Sequence, residues 1–378
     1  MGENGGPHML TVGVMGAGGG VGSAVLRSLE LASLETRVVC FDAAADTPGM
    51  YRGDRAHLIP MISAPGHRDA LLEACTREGL QALIPGLDPE LVPLAAMSDD
   101  LGAIGCTLIG SSVEVNRLLF DKERSSAFFE QFGLPFAKTL PLERAEELLD
   151  LGGFPLLVKP RSGSASRGVH VVFCQAELKE LATQSATYVA QSYLLPVQWG
   201  KSRRTLRAED VYSNHSLLQK DEHMVQVLSD QHGEPFGVFL SRNILKNGAV
   251  VHMTPLEDDI SGVRAAALAM ARRLAEIGHT GPCNFQGRVT AEGPFFYEIN
   301  PRFSGGTGMR ASLGFNEVEA CLRRLVLNEG PEELQACLAT NYDQACGMHP
   351  AELTMDISAI ERLKRDGAIE LPSARRPR

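Results

Sequence analysis

Apolar positions divide the chain into two kinds of pattern. From Leu10, "LTVGVMGAGGGVGSAVLRSLE" reads as a strand, a glycine turn and a helix. "TRVVCFDA" is a second buried strand ending in Asp42, and "QALIPGLD" and "GCTLIG" are later ones. Short apolar strands that alternate with helical stretches predict a parallel α/β unit, which ends near Ser112. Beyond it the spacing changes. Leu118, Leu119, Phe128, Phe129 and Phe132 recur at helical intervals, and Gly133 with Pro135 stops that helix. "FPLLVKP" is a short strand, "RSGSASRGVHVVF" a loop returning into another, and "ATYVAQSYLLP" a strand closed by Pro196. Residues 196–221 are polar and basic without a period. "EHMVQVLSD" alternates, "PFGVFLSRNILKNGAVV" continues a meander, and residues 260–277 predict a helix stopped by Gly278. "CNFQGRV", "TAEGP" and "FFYEIN" predict a hairpin, and "NEVEACLRRLVLNEG" a helix. The order is therefore an α/β domain followed by an α+β region built on antiparallel strands.

Composition narrows the class. The chain has 378 residues, enough for two or three domains, with 44% hydrophobic and 22% charged residues. With 46 acidic and 36 basic residues its formal charge is −10, which argues against nucleic acid as a partner. The one basic cluster, "KSRRTLR" from Lys201, reads as a solvated loop. Eight cysteines occur without a CxxC pair, so they read as buried thiols in a reducing compartment. The first residues lack a signal peptide's apolar core, and no apolar run approaches the ~20 residues of a membrane span. A soluble cytoplasmic protein with no membrane partner is expected.

Three stretches carry chemistry. Gly16, Gly18 and Gly22 follow a strand and open a helix, with Asp42 ending the next strand. That context suits a dinucleotide, but the spacing is GxGxxxG, and a turn that packs the helix close to the strand fits it equally. The loop "VKPRSGSASRGV" is more informative. Gly163, Ser164, Ser166 and Gly168 sit between two apolar strands, where small residues let backbone N–H groups approach phosphate oxygens. Lys159 lies in the preceding strand, and an ammonium there needs an anionic partner. In "FFYEIN", strand alternation puts Glu298 and Asn300 on one face. If "AEG" is a three-residue turn, Gln286 falls opposite Glu298. Such an oxygen-bearing set suits Mg²⁺ or Mn²⁺. Arg302 and Arg310 follow and suit a carboxylate or a developing phosphoryl charge.

Taken in order, "DKERSSAFFEQFGLPFAKT", "FPLLVKPRSGSASRGVHVV", "YVAQSYL", "EHMVQVLSD" and "NFQGRV…FFYEINPRFSGGTGMRASLGFNE" resemble ATP-grasp enzymes over residues 10 to 330. The branch is the one related to the carbamoyl-phosphate synthase large subunit and amino-acid ligases. The resemblance implies a Rossmann-like pre-ATP-grasp domain (1–114), a small lid subdomain with the phosphate loop (115–190), and a large subdomain with the metal site and a C-terminal extension (191–378). The two ATP-grasp subdomains would sandwich ATP. It further implies that Lys122 and Lys159 meet ATP phosphates, and that residues 161–168 form the flexible phosphate loop. Gln191, Ser192, Tyr193 and Leu194 would form the adenine hinge and Glu222 would take the ribose hydroxyls. Gln286, Glu298 and Asn300 would ligate Mg²⁺, and Arg302 would hold the acyl-phosphate. Ser192 stands where relatives often carry Glu, and residues 196–221 exceed the usual hinge link, which suggests a lid or a specificity element. The dinucleotide reading weakens accordingly, and the turn Gly16 to Gly22 instead borders the acceptor substrate.

The implied activity is an ADP-forming ligase that joins a small carboxylic acid to an amine or amino acid, with a homodimer as the expected assembly. Three alternatives stay open: carbamoyl-phosphate-synthase-like phosphorylation with a small nucleophile, a non-catalytic nucleotide-binding protein, and an NAD-linked oxidoreductase.

Overall fold

The computed structural model describes residues 9–163, 166–183, 187–213, 216–259, 261–349 and 352–371. Three sheets organise the chain. In the first, Leu10–Val14, Thr36–Asp42, Arg55–Leu58, Ala82–Ile84 and Thr107–Leu108 run parallel, with Leu10–Val14 flanked by Thr36–Asp42 and Ala82–Ile84. Val12, Val14, Val39 and Phe41 are fully buried, as strands covered on both faces require. The helix Gly20–Glu30 starts at the glycine turn.

The second sheet is small and antiparallel, in the order Thr139–Pro141, Tyr188–Ser192, Leu156–Pro160, His170–Val172. The third is a long antiparallel sheet ordered Gly293–Asn300, Gly281–Thr290, Ser216–Ser229, Pro235–Lys246, Ala249–Pro255, Cys346–Gly347. One face of it packs on helices Val113–Phe120, Lys122–Gln131 and Val263–Ala275 through Val115, Phe129, Met270 and Phe285. Its other face shares one core with the first sheet, in which Leu26 and Leu29 meet Phe315 and Val318. The α/β unit is thus fused to the large sheet by apolar packing and is not merely tethered to it.

Two features were not foreseen in detail. The C-terminal extension does not stay with the large sheet. Helix Ile357–Asp366 and strand Ala368–Glu370 return to the first sheet, where Ile369 pairs with Ala56 on its open edge. The partner strand Arg55–Leu58 ("RAHL") is too short and mixed to read from its pattern. The basic cluster Lys201–Arg207 is largely exposed, as a solvated loop should be, but residues 196–213 are not without structure. They fold into turns at Val197–Trp199 and Arg203–Thr205 and the helical turn Ala208–Val211, burying Leu206 and Val211 beside Val171 and Tyr193. Arg203, from the basic cluster, donates to the Tyr193 carbonyl at 2.8 Å.

Among the described residues, Cys40, Cys75, Cys106, Cys283, Cys321 and Cys337 are buried free thiols, and no helix is long and apolar enough to cross a membrane.

Candidate active site

The small sheet supplies the roof of a cleft of about 740 Å³, counting the space at its mouth. Lys159 is 3% exposed. Its Nζ donates to Gln191 Oε1 at 2.7 Å and to the Tyr297 carbonyl at 3.4 Å. Neither acceptor carries a charge. Burial therefore pushes the ammonium down to about 7, helped by the nearby Lys122 charge and opposed by Glu298. Lys122 opens its helix behind the N-cap Asp121, and its Nζ donates to the Gly163 carbonyl at 3.0 Å. Two ammonium groups without a bonded carboxylate thus line one cleft with Gly163, Ser166 and Arg167. Such a cleft fits a polyanion.

The predicted loop residues divide. Gly163 and Ser166 line the cleft, Gly168 does not, and Ser164 lies outside the described residues. Gly168 has φ of +69°, and a Cβ there would sit 2.6 Å from the Tyr188 hydroxyl, so its requirement is conformational.

At the other end, Tyr193 and Leu194 line the cleft, whereas Gln191 and Ser192 do not. Gln191 is fully buried and fixes Lys159; its Nε2 donates to Thr139 Oγ1 at 2.7 Å. Glu222 is also fully buried and outside the lining. Its Oε1 accepts Arg288 Nε at 2.7 Å, while Oε2 has no partner. Arg288 and Gln219 stand at the wall instead. The sequence reading missed both, although Arg288 lies two positions after Gln286, on the same face. Tyr193 Oη and Gln219 Oε1 are likewise buried without partners. A nucleoside's hydroxyls and base edge could satisfy such buried unpaired atoms.

The carboxylate hairpin follows expectation by a different route. Gln286 does oppose Glu298, and Asn284 opposes Asn300. The turn has two residues, however, since Thr290 pairs with Gly293, and a bulge between Gln286 and Gly287 restores the register. The extra residue is Tyr297. A bulge re-aims side chains, and Tyr297 and Glu298 both face the cleft. Asn300 Nδ2 donates to Glu298 Oε1 at 3.2 Å, and Gln286 Nε2 donates away, to Asn284 Oδ1, at 3.2 Å. Gln286, Glu298 and Asn300 are half-buried neighbours whose oxygens fit a hard cation. The set carries one formal charge, and no cluster of three His, Cys, Asp or Glu exists among the described residues. A bound cation would therefore draw its remaining ligands from phosphate or water.

The two arginines part company. Arg302 pairs with Asp88 of the first domain and donates to Asn300 Oδ1 at 3.4 Å, which puts it beside the hairpin. Arg310 is not brought to the site. Its guanidinium is fully buried, bonded to Glu317 Oε1 at 2.6 Å and to Ser304 and Thr307, and it lines neither this cleft nor its neighbour. The expectation that Arg310 acts in catalysis is not matched by its place in the fold, because its Nε and Nη2 serve the buried Glu317 carboxylate and the Ser304 and Thr307 hydroxyls, while Nη1 is buried without a partner.

The N-terminal glycine turn is also structural. The Gly18 N–H donates to Asp42 Oδ2 at 2.9 Å and is thus already engaged by a carboxylate. A Cβ on Gly22 would lie 2.3 Å from the Gly16 carbonyl, so the helix packs closer than any side chain allows.

A glycine-rich hairpin over two lysines faces an oxygen-bearing hairpin on a second antiparallel sheet, and the fold is similar to that of ATP-grasp enzymes. Residues 18–109 match the family "PylC-like, N-terminal domain", and residues 216–343 match "ATP-grasp in the biosynthetic pathway with Ter operon". The carbamoyl phosphate synthase large chain of Methanobrevibacter smithii is 23% identical over 296 residues, which covers 76% of this chain and 26% of that one. Pyruvate carboxylase of Aspergillus terreus is 25% identical over 297 residues, covering 73% and 23%. The chain thus spans about a quarter of the length of these curated relatives. Among solved structures, N5-carboxyaminoimidazole ribonucleotide synthetase from Thermus thermophilus superposes with a TM-score of 0.61 at 18% identity, covering 87% of this chain and 80% of that one. The biotin carboxylase domain dimer of Hydrogenobacter thermophilus 2-oxoglutarate carboxylase, solved with MgADP, ADP and bicarbonate, gives 0.59 at 17% identity, covering 84% and 70%. At these identities the structural likeness speaks for the fold.

Proposed function

We propose that the chain is an ATP-dependent carboxylate–amine ligase. A substrate carboxylate oxygen attacks the γ-phosphorus and ADP leaves; an amine then attacks the acyl carbon and phosphate leaves, forming an amide. The observation that carries this reading is that the nucleotide cleft and a second pocket share Lys122, Gly163 and Glu298. An acid in one pocket and a polyphosphate in the other would meet at that edge, where positioning does much of the work.

Lys122 and Lys159 would neutralise phosphate oxygens under the loop 161–168. Tyr193 and Leu194 would hold the base by their backbone, and Gln219 and Glu222 the sugar. Gln286, Glu298 and Asn300 would hold Mg²⁺, which when bound supplies charge neutralisation to the phosphates. Arg302, kept beside Asn300, would stabilise the acyl-phosphate oxyanion.

The test is ATP turnover with Mg²⁺ against panels of carboxylic acids and amines. ADP and phosphate are the expected products, and Glu298→Ala should lower turnover by about 100-fold or more. AMP and pyrophosphate as products, or normal turnover in that variant, would reject the reading. Because a structural neighbour was solved with bicarbonate, a second reading is phosphorylation of bicarbonate for a small nucleophile. Bicarbonate-dependent ADP formation with no carboxylic acid present would favour it. A homodimer belongs to the same proposal, since that neighbour is a dimer, and light scattering at the monomer mass would remove it.

A further inference from the structure

The segment 196–213 packs against both sheets that enclose the nucleotide cleft. Leu206 and Val211 are each 2% exposed. They share a small core with Tyr193 and with Val171 of the small sheet, and Leu157 and Leu217, one from each sheet, pack on it. Polar contacts repeat the bridge. Arg203 Nη2 donates to the Tyr193 carbonyl at 2.8 Å, and its Nη1 to the Gly152 and Gly153 carbonyls at 3.4 Å. Tyr212 Oη accepts the Val171 N–H at 3.0 Å. On the side of the large sheet, Tyr212 pairs with Leu217, and Trp199 Nε1 donates to Asp221 Oδ2 at 2.9 Å. Arg288 of that sheet lies 5.8 Å from the Trp199 ring and donates to the Leu194 carbonyl at 2.8 Å. The Tyr193 and Leu194 carbonyls thus each accept from a guanidinium, one of them on this segment. Val211 carries the segment into the cleft, which it lines together with Leu157, Val171, Leu194 and Leu217. A polyphosphate gains nothing from such an apolar group, whereas an aromatic base is held by one.

We propose that residues 196–213 complete the nucleobase subsite: Val211 packs against the base, and Arg203 is a positioning residue that holds the Tyr193–Leu194 backbone where the base meets it. The inference rests on the nucleotide binding in the ligase reading above and goes beyond it, because an added segment between two strands has no need to touch the nucleotide. Its physical consequence is a split in the binding energy. Affinity for the base depends on this segment, and affinity for the phosphates, which fall to Lys122 and Lys159, does not.

The experiment is calorimetry on the full chain with Mg²⁺, titrating a non-hydrolysable ATP analogue and, separately, tripolyphosphate, which has neither base nor sugar. Val211→Ala removes two buried carbons and should weaken the analogue about fivefold to tenfold, while tripolyphosphate stays within about twofold. Arg203→Met should give the same split through the lost hydrogen bonds, and Arg203→Lys, which keeps a charged donor, should recover part of it. Trp199 is the chain's single tryptophan, so its emission maximum shows whether the segment is still folded in each variant. The same loss for both ligands, or no loss for either, at both positions overturns this inference and leaves the ligase reading intact. Failure of the wild type to bind the analogue or tripolyphosphate overturns both.

Discussion

Lys159 is a buried ammonium with neutral partners, and under the proposed function a bound nucleotide is its counter-charge, which makes nucleotide binding proton-linked. Its ordinary value of 10.5 falls to about 7 in the fold, with burial the largest cause and the Lys122 charge next. The difference corresponds to about 5 kcal/mol against the charged form. The sign follows from linkage. Between pH 7 and 10.5 the unfolded chain carries this proton and the folded one has lost it, so stability rises with pH through that window; below pH 7 the full penalty is present. A polyphosphate beside Nζ acts in the opposite direction and restores the charge. At pH 8, about nine in ten free molecules carry neutral Lys159, so binding should take up about 0.9 proton, and affinity should fall about tenfold per pH unit above 7. Calorimetry of ATP binding in buffers of different ionisation enthalpy, without Mg²⁺, reads that number directly. Lys159→Met should abolish the uptake, weaken nucleotide binding and stabilise the apo fold, since it replaces an uncompensated buried cation by an apolar group of similar length. Zero proton uptake at pH 8 in the wild type, or the same uptake in Lys159→Met, would refute the reasoning.

Two further predictions follow from particular contacts. Arg310→Met should cost about 3–5 kcal/mol in urea unfolding, because Glu317 is left buried and unpaired, and the double change Arg310→Met with Glu317→Leu should recover most of it; both proteins should keep ATP affinity, and a turnover defect in the stable double variant would return Arg310 to the active site. Gln286→Glu gives the oxygen set a second formal charge and should lower the Mg²⁺ concentration needed for half-maximal turnover; an unchanged requirement would take Gln286 out of the ligand set.

How much was legible follows from which interactions are local. The parallel strands, the long meander and the hairpin are written in apolar runs and turn residues a few positions apart, and the structure has them where those signals lie. Glu298 and Asn300 on one face follow from strand alternation alone. Their register with Gln286 was reached through a three-residue turn, while the chain uses a two-residue turn and a bulge at Tyr297. No local signal separates those routes, because each adds one residue to the same side. Arg302 and Arg310 look alike in sequence, eight positions apart. Glu317 claims one and Asp88 the other, and Asp88 is more than two hundred residues away.

The sequence by itself determined the order of α/β and antiparallel units, the glycine-rich hairpin and the pairing of Glu298 with Asn300 on one strand face. Each is a matter of side-chain period and backbone freedom within one element. Only the tertiary structure decided which charges meet. It buried Lys159 with neutral partners, folded residues 196–213 against Tyr193, returned Ala368–Glu370 to the first sheet, and set Asn116 and Asp88 beside the Glu298–Asn300 hairpin. Those outcomes depend on desolvation and on contacts between distant segments, and neither is present in a stretch of chain until the sheets have packed.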